Sequence, residues 1–382
     1  MKKTLAAVAV LGAFAGSALA ADVQLYGIVD TGLRYMHFDG DSAKAGYDAV
    51  DKFEMKSGMQ SGSRFGFKGT EDLGNGLTVG FILENQFDSD TGALKNEDSF
   101  FHREASLFLQ GGFGKIAMGR MGSINGGVSS WGKYGMMSAF GTSWDYSAQV
   151  GTWAVGGGMW DNMIAYETPS FAGFKVFAQY AMGSNNNENE SSSNRYYSLG
   201  ASYANGPLNL YLAVDSINYQ TADLGTGVNA DDIDDSLTVT FGGNYDFEVV
   251  KLFAGAQYFD EAKVSTAFGL MADAGEYNAT TYAGKFKGFG LGVSASIPVA
   301  GGNVLVGAGY MDAEAADSQK AAKDDELTRW VVSAGYDYPL SKRTNVYGVL
   351  TYAQDSLDYT ETAAKDQDPT VFAAMIGLRH KF

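Results

Sequence analysis

The sequence predicts a membrane-spanning antiparallel β-barrel of sixteen strands, and three observations support this fold class. Many segments alternate apolar and polar residues with a period of two, as expected of strands. Short connections alternate with long ones along the chain. No stretch after residue 20 reaches the roughly 18 consecutive apolar residues of a membrane helix, although 45% of the residues are hydrophobic.

The first twenty residues have the features of a secretory signal peptide. Lys2 and Lys3 precede an apolar run from Leu5 to Ala15, and small residues close the segment at Ala20. We therefore expect cleavage after residue 20, which leaves residues 21–382 as a single barrel domain. No composition change within this range indicates a second domain.

The first and last strands of the predicted barrel show the alternation most clearly. In residues 22–38, Asp30 and Arg34 fall on a polar face, and the other face is apolar. In residues 370–382, Arg379 lies on a face of small residues and cations opposite an oily face. Strands with one greasy face cannot stand alone in lipid, because unpaired backbone groups there cost several kcal/mol. Both segments therefore require partners on each edge.

Charged residues on the polar faces of two further strands are candidates for the lumen. Arg64 and Lys68 lie on one face of residues 61–69, and Glu84 lies on the polar face of residues 77–86. The same alternation is found in five later segments: 173–182, 207–216, 236–247, 288–297 and 327–338. A second face that carries threonine, asparagine and charge predicts a water-filled interior.

The connections give the strand number. Seven are short, near 69–76, 111–114, 168–173, 204–207, 247–249, 298–302 and 339–344. Eight are long and polar, near 39–60, 88–99, 121–158, 183–194, 219–235, 261–285, 312–326 and 355–369. Fifteen connections imply sixteen strands, and short turns at one end with long loops at the other are typical of outer-membrane barrels.

Composition excludes several classes of function. The chain has no cysteine, which rules out disulfides, zinc–thiolate sites and cysteine nucleophiles. A net charge of −17 argues against a nucleic-acid partner. The three histidines, His37, His102 and His380, lie on separate elements, and none has a metalloprotease or nucleophile-elbow context. An outer-membrane hydrolase is therefore a weak alternative.

Several motifs together resemble the general porins of Gram-negative outer membranes, in particular the sixteen-stranded trimeric type of neisserial and comamonad-like bacteria. They are LYGIVDTGL (25–33), SRFGFKGTEDLGNGL (63–77), GGFGKIAMGR (111–120), DNMIAYETPSFAGF (161–174), LSKRTNVYG (340–348) and the ending GLRHKF (377–382). They occur in the family's order over the whole mature chain.

This resemblance implies a multi-pass barrel in the outer membrane that assembles as a homotrimer. The implied activity is passive diffusion of small hydrophilic solutes and ions, without a cofactor or an energy source. The expected partners are further copies of the chain, outer-membrane lipid and lipopolysaccharide, and no nucleic acid. The resemblance also implies that a long third loop folds into the pore and narrows it.

The segment that matches the third loop is residues 121–158. Its charged residues are one base, Lys133, and one acid, Asp145, and it is rich in aromatic residues such as Trp131, Tyr134 and Trp144. Relatives usually place several acids here, so we expect a constriction that is more aromatic than acidic. The aromatic residues could guide sugars, which would make the porin sugar-selective, or could pack the loop against the wall.

The basic wall of the family is matched only in part. Arg64 and Arg103 correspond to two arginines that point into the pore of comamonad-like porins, whereas two further basic positions fall on Met159 or Trp160 and on Ala165. Alternation from Ala105 onwards would instead place Arg103 outside, near the rim. The incomplete cluster predicts weak ion selectivity.

The complete set of predicted lumen residues follows from alternation and resemblance together. The bases are Arg34, Arg64, Lys68 and Arg379, with Arg103, Arg120 and Lys133 as further candidates, and the acids are Asp30, Glu84 and Asp145. The main alternative to an open channel is a plugged barrel that displays its loops as an adhesin or receptor.

Overall fold

The computed structural model describes residues 23–40, 49–142, 151–155, 158–183, 194–219, 234–264, 285–318, 325–358 and 368–382. The expected signal peptide and the loop residues Trp144 and Asp145 lie outside these ranges. The strands are β1 (Gln24–Asp39), β2 (Val50–Ser57), β3 (Arg64–Gly74), β4 (Leu77–Gln86), β5 (Glu104–Gly111), β6 (Gly114–Gly122), β7 (Ala154–Val155), β8 (Met159–Glu167), β9 (Phe174–Ala181), β10 (Arg195–Asn205), β11 (Leu208–Asn218), β12 (Leu237–Asp246), β13 (Lys251–Val264), β14 (Phe286–Val299), β15 (Gly302–Ala315), β16 (Glu326–Pro339), β17 (Thr344–Asp358) and β18 (Thr370–Lys381). A single-turn 3-10 helix spans Tyr134–Met136.

The strands form a closed antiparallel barrel, because β18 pairs with β1 from Ile28↔Lys381 to Asp39↔Thr370. The barrel has sixteen strands, since β2 and β3 are two halves of one wall strand that both pair with β1. The short β7 is part of the long loop between β6 and β8 and pairs with β13. The predicted fold class is confirmed.

The connections alternate in length as predicted. Short turns join β3 to β4, β5 to β6, and the later hairpins as far as β16 and β17, and long segments make the remaining connections. Several boundaries were wrong. β3 continues to Gly74, within the short connection expected at 69–76. The first long loop was expected over 39–60, but β2 occupies Val50–Ser57 within it. The strand does alternate, with Phe53 and Met55 exposed on the outer face.

The alternation in sequence corresponds to the two faces of the wall. On β1, Leu25, Val29 and Leu33 are exposed outward, while Asp30 and Arg34 are fully buried on the inner side. An apolar outer face can lie in hydrocarbon, and backbone groups paired all around the barrel meet the requirement of a lipid environment. In the described part of the chain, no helix is long and apolar enough to span a membrane.

Residues 58–63 interrupt the second wall strand and turn towards the interior. The backbone amides of Gln60 and Ser61 donate to Asp30 Oδ2 at 2.9 and 2.6 Å, and the Tyr347 hydroxyl donates to Asp30 Oδ1 at 2.6 Å. Met59 is buried with Met375 and other wall residues in an apolar cluster. The interruption therefore lies against the seam where the first and last strands meet.

Candidate functional site

The loop between β6 and β8 is hydrogen-bonded to inward side chains of several strands. Asn125 Nδ2 donates to the Asp215 carboxylate on β11 at 3.0 Å and to Thr240 Oγ1 on β12 at 2.9 Å. The backbone amide of Ala139 donates to Ser294 Oγ on β14 at 2.9 Å. These bonds satisfy polar groups that would otherwise be buried without partners, so they hold the loop against this wall.

A buried ion pair extends the same contact to β16 and β17. Arg329 and Asp355 are almost completely buried, and two guanidinium nitrogens donate to the two carboxylate oxygens at 2.6 and 2.7 Å. A third nitrogen, Nη1, donates to the carbonyl oxygen of Gly151 in the loop at 2.6 Å. The fork geometry of arginine suits this arrangement, because one side chain can bind both the carboxylate and the loop backbone.

The described aromatic residues of the loop pack against the wall. Trp131, Phe140 and Trp153 are at most 5% exposed. Tyr134 lies 6.2 Å from Trp153 between ring centroids, and its hydroxyl accepts a hydrogen bond from Gln257 Nε2 at 3.0 Å. Trp131, Phe140 and Trp153 therefore have little surface left for a passing sugar, so their geometry is that of packing, whereas Tyr134 is partly buried.

On the other side of the barrel, Glu84 on β4 is the centre of a polar cluster. Its carboxylate accepts from Arg103 Nε at 2.6 Å and from the Tyr26 hydroxyl at 3.0 Å, and Arg64 Nε lies 3.6 Å away. Tyr26 reaches across Gly66, where a Cβ atom would lie only 2.8 Å from the tyrosine hydroxyl. Glycine at this position therefore permits the contact.

A second acid, Glu104, stands directly opposite Glu84 in the pairing of β4 and β5. Like charges at such positions repel each other. Glu104 is stabilised from the loop, because the Ser130 backbone amide and hydroxyl donate to its carboxylate at 2.8 and 2.9 Å. The loop thus touches this wall as well, through Ser130.

Between this wall and the loop lies a cleft of about 270 Å³. Its lining comprises Tyr26, Arg64, Lys68, Ile82, Glu84, Arg103, Glu104, Gly127, Ser129 and Ser130. A neighbouring cleft of similar size shares Lys68 and Ile82 and continues along β3 and β4 to Gln24 and Thr70. Three bases and two acids line the first cleft, which gives it a formal charge of +1 from these side chains.

The cleft brings together four of the predicted lumen residues, Arg64, Lys68, Glu84 and Arg103. Arg103 reaches the inside although alternation pointed outwards, because β5 begins only at Glu104 and the period of two does not extend to the residue before it. Alternation within β5 itself would have found Glu104, since Leu107 and Leu109 are the outward residues.

Other predicted residues face inward but bind elsewhere. Asp30 accepts hydrogen bonds from the segment 58–63 and from Tyr347, and Arg34 is ion-paired with Glu54 on β2. Arg379 donates to Ser61 Oγ at 2.8 Å and to Asn345. Their charges are therefore used mainly to hold the wall and its interruption together.

Two further bases stand apart from the cleft cluster. Arg120 lies at an irregularity between β6 and β8, where it is ion-paired with Asp161 and donates to the carbonyl oxygen of His102 at 2.6 Å. Lys133 in the loop lies 5.0 Å from the ring centroid of Phe177, and burial lowers the pKa of this ammonium group below its ordinary value. Neither residue lines the cleft.

Sequence reasoning missed Lys115, whose ammonium lies over the rings of Phe108 and Trp131 at 4.5 and 4.9 Å. Alternation would have predicted that Lys115 faces inward, because Ile116 and Met118 on the same strand face outward. Within the described ranges, no three histidine, cysteine, aspartate or glutamate side chains are grouped so as to hold a metal ion.

A closed barrel whose β6–β8 loop is hydrogen-bonded to inward side chains, and which has a charged cleft, can be compared with known proteins. The family model described as Gram-negative porin matches residues 6–358. The chain belongs to the Gram-negative porin family. An outer membrane porin protein of Bordetella pertussis is 33% identical, with both chains covered over their full length.

Solved structures agree with this assignment. The anion-selective porin from Comamonas acidovorans is 27% identical and superimposes with a TM-score of 0.68, covering 95% of this chain and all of that one. The trimer form of OmpT from Vibrio cholerae is 17% identical, with a TM-score of 0.59 over 95% of this chain and 100% of its own, and it supports the fold alone. This porin is accordingly a passive channel of the outer membrane.

Proposed function

We propose that small hydrophilic solutes and ions cross this porin through the cleft between the wall β1, β3, β4 and β5 and the loop 121–158. The loop acts as the constriction, because its described residues contact inward groups on strands from β11 to β17 and a polar gap remains beside Arg64 and Arg103. The observation that carries the proposal is this gap with bases and acids on its wall.

The charges of the cleft favour a weak preference for anions. The cleft has three bases, Arg64, Lys68 and Arg103, and two acids, Glu84 and Glu104. Arg64 is the more accessible of the two arginines, because its side chain is 25% exposed against 8% for Arg103. Fixed charges of one sign at a narrow passage raise the local concentration of counter-ions. Since acids neutralise most of the basic charge, the selectivity remains modest.

Assembly, processing and the membrane environment complete the proposal. We expect a homotrimer in contact with outer-membrane lipid and lipopolysaccharide, and we expect residues 1–20 to be removed as a signal peptide. No catalytic step is assigned to the chain. Cross-linking of the purified protein and N-terminal sequencing test the trimer and the cleavage site.

The decisive experiment is single-channel recording in a planar bilayer under a salt gradient. Arg64→Ala should move the reversal potential towards cations, because one cleft cation is lost. Arg343→Ala is the matched control, since Arg343 is exposed in the turn between β16 and β17. Folded trimers that conduct no ions would favour the plugged receptor, and an unchanged reversal potential in Arg64→Ala would exclude this cleft as the passage.

A further inference from the structure

The wall behind the loop carries glycines at the same level on four consecutive strands. Gly242 on β12 stands opposite Gly255 on β13, Gly255 opposite Gly292 on β14, and Gly292 opposite Gly309 on β15. Directly opposed residues share a face of the sheet. The exposed outward neighbours Phe241, Leu291 and Tyr310 show that this face is the inner one. We call these four residues and Gly290 the glycine strip.

Side chains of the loop occupy the space that the glycine strip leaves free. A Cβ atom on Gly255 would lie 3.0 Å from Trp153 Cη2 and 3.2 Å from Met137 Sδ. A Cβ atom on Gly309 would lie 2.8 Å from Thr152 Cγ2. The three loop residues that make these contacts, Met137, Thr152 and Trp153, are all buried.

The loop backbone also approaches the glycine strip. A Cβ atom on Gly290 would stand 1.8 Å from the carbonyl oxygen of Thr152, so only glycine permits this approach. Two hydrogen bonds join the loop to the wall at this point. Ala154 N donates to Gln257 Oε1 at 2.8 Å, and Thr152 Oγ1 donates to the Leu291 carbonyl at 3.3 Å.

The glycine strip lies across the barrel from the cleft. In a closed barrel of sixteen wall strands, half a turn is eight strands. The cleft belongs to the first four wall strands, and the glycine strip belongs to the tenth to thirteenth. Material added at the strip therefore displaces the loop towards Arg64 and Glu84.

The loop is connected internally in a way that can transmit such a displacement. Trp153 contacts Tyr134, the Tyr134 amide donates to the Gly126 carbonyl at 3.2 Å, and the Thr142 hydroxyl donates to the Gly127 carbonyl at 3.2 Å. Gly127 lines the cleft. Contacts at the strip and at the cleft are thus linked through one ring contact and two hydrogen bonds within the loop.

We propose that the glycine strip is a seat whose lack of side chains fixes the distance of the loop from the cleft wall, and thereby the width of the passage. The proposal rests on the function assigned above to the loop. The glycines are positioning residues, since they act through the loop and touch no solute. Side chains introduced at the glycine strip by substitution should narrow the cleft without changing the charge of its lining.

The test compares Gly309→Ala and Gly290→Ala with Gly348→Ala. Gly348 is a wall glycine on β17 whose added Cβ would have only the Met375 carbonyl as a neighbour, at 3.6 Å. We expect lower single-channel conductance in the first two variants, an unchanged reversal potential, and wild-type behaviour in the control. Adding Thr152→Ala to Gly309→Ala removes the overlapping Cγ2 and Oγ1 atoms and should restore conductance.

A second readout does not depend on conduction. Because the chain has no native cysteine, spin labels can be attached at Val128→Cys in the loop and Leu83→Cys on β4. The distance between them should shorten in Gly290→Ala. Two results would refute the proposal that the glycine strip sets the position of the loop. One is an unchanged distance in folded Gly290→Ala barrels, and the other is a Gly309→Ala conductance that Thr152→Ala fails to restore. A shortened distance at wild-type conductance would support the positioning role of the glycine strip, and it would refute the assignment of the loop as the constriction.

Discussion

Replacement of Glu84 by glutamine should make the porin more anion-selective. The change is isosteric and leaves an oxygen that can still accept from Arg103 Nε, now 2.6 Å from the carboxylate. It removes one negative charge from a lining of three bases and two acids. The formal charge of that lining therefore rises from +1 to +2.

The size of the effect follows from Coulomb's law. One unit charge acts on a monovalent ion about 4 Å away in water with about 1 kcal/mol. Screening at 0.1 M salt, where the Debye length is about 10 Å, leaves about 0.7 kcal/mol. Since about 1.4 kcal/mol is a tenfold change, the local anion concentration rises by about threefold and that of cations falls by about threefold. The permeability ratio should shift by up to about tenfold.

The assay is the reversal potential under a potassium chloride gradient at two mean concentrations. The shift should be towards anions and should shrink at the higher concentration, because screening increases. Glu71→Gln is the control, since Glu71 is exposed at the short-turn end of β3. A folded Glu84→Gln channel with unchanged selectivity, or one that moves towards cations, would refute the assignment of the cleft.

Three further outcomes are expected. Asp355→Asn should lower the denaturation temperature of the barrel on semi-native gels, because it leaves Arg329 buried beside a neutral partner, at a cost of up to about 3–5 kcal/mol; equal stability would contradict the buried pair. Asn125→Ala should increase open-channel current noise, since the loop loses its bonds to β11 and β12; a quiet channel would show that this bond does not hold the loop. Trp131→Leu should leave the relative uptake of a disaccharide and a size-matched polyol unchanged in liposome swelling, because Trp131 is 2% exposed; a selective loss of disaccharide uptake would support sugar guidance instead.

Most of the wall could be predicted from the sequence because a strand has a fixed period. Asp30 and Arg34 are buried on the inner face as alternation requires, Arg379 binds the inward segment at Ser61, and the count of turns predicts the sixteen wall strands. β2 was missed since Lys52, Glu54 and Lys56 resemble a solvated loop, whereas they are the inner face of a strand whose outer residues are Phe53 and Met55.

The roles of the inward charges could not be predicted in the same way. Asp30 is bound by Gln60 and Tyr347, and such partners depend on which distant segments meet inside the barrel. Arg103 precedes its strand, so its direction depends on the bond to Glu84 rather than on a period. The glycine strip required the pairing register of four strands, which a single sequence does not reveal.

The inward segment 58–63 has a consequence for how the barrel assembles. It binds Asp30 near the beginning of the chain together with Tyr347 and Arg379 near its end, and Asp30 and Tyr347 are 317 positions apart. Contacts between such distant positions form late, because ordering the long intervening chain costs entropy first. We therefore expect the last strands to pair late, after the segment 58–63 has bound Asp30, so that Tyr347 and Arg379 complete these inner contacts when the barrel closes.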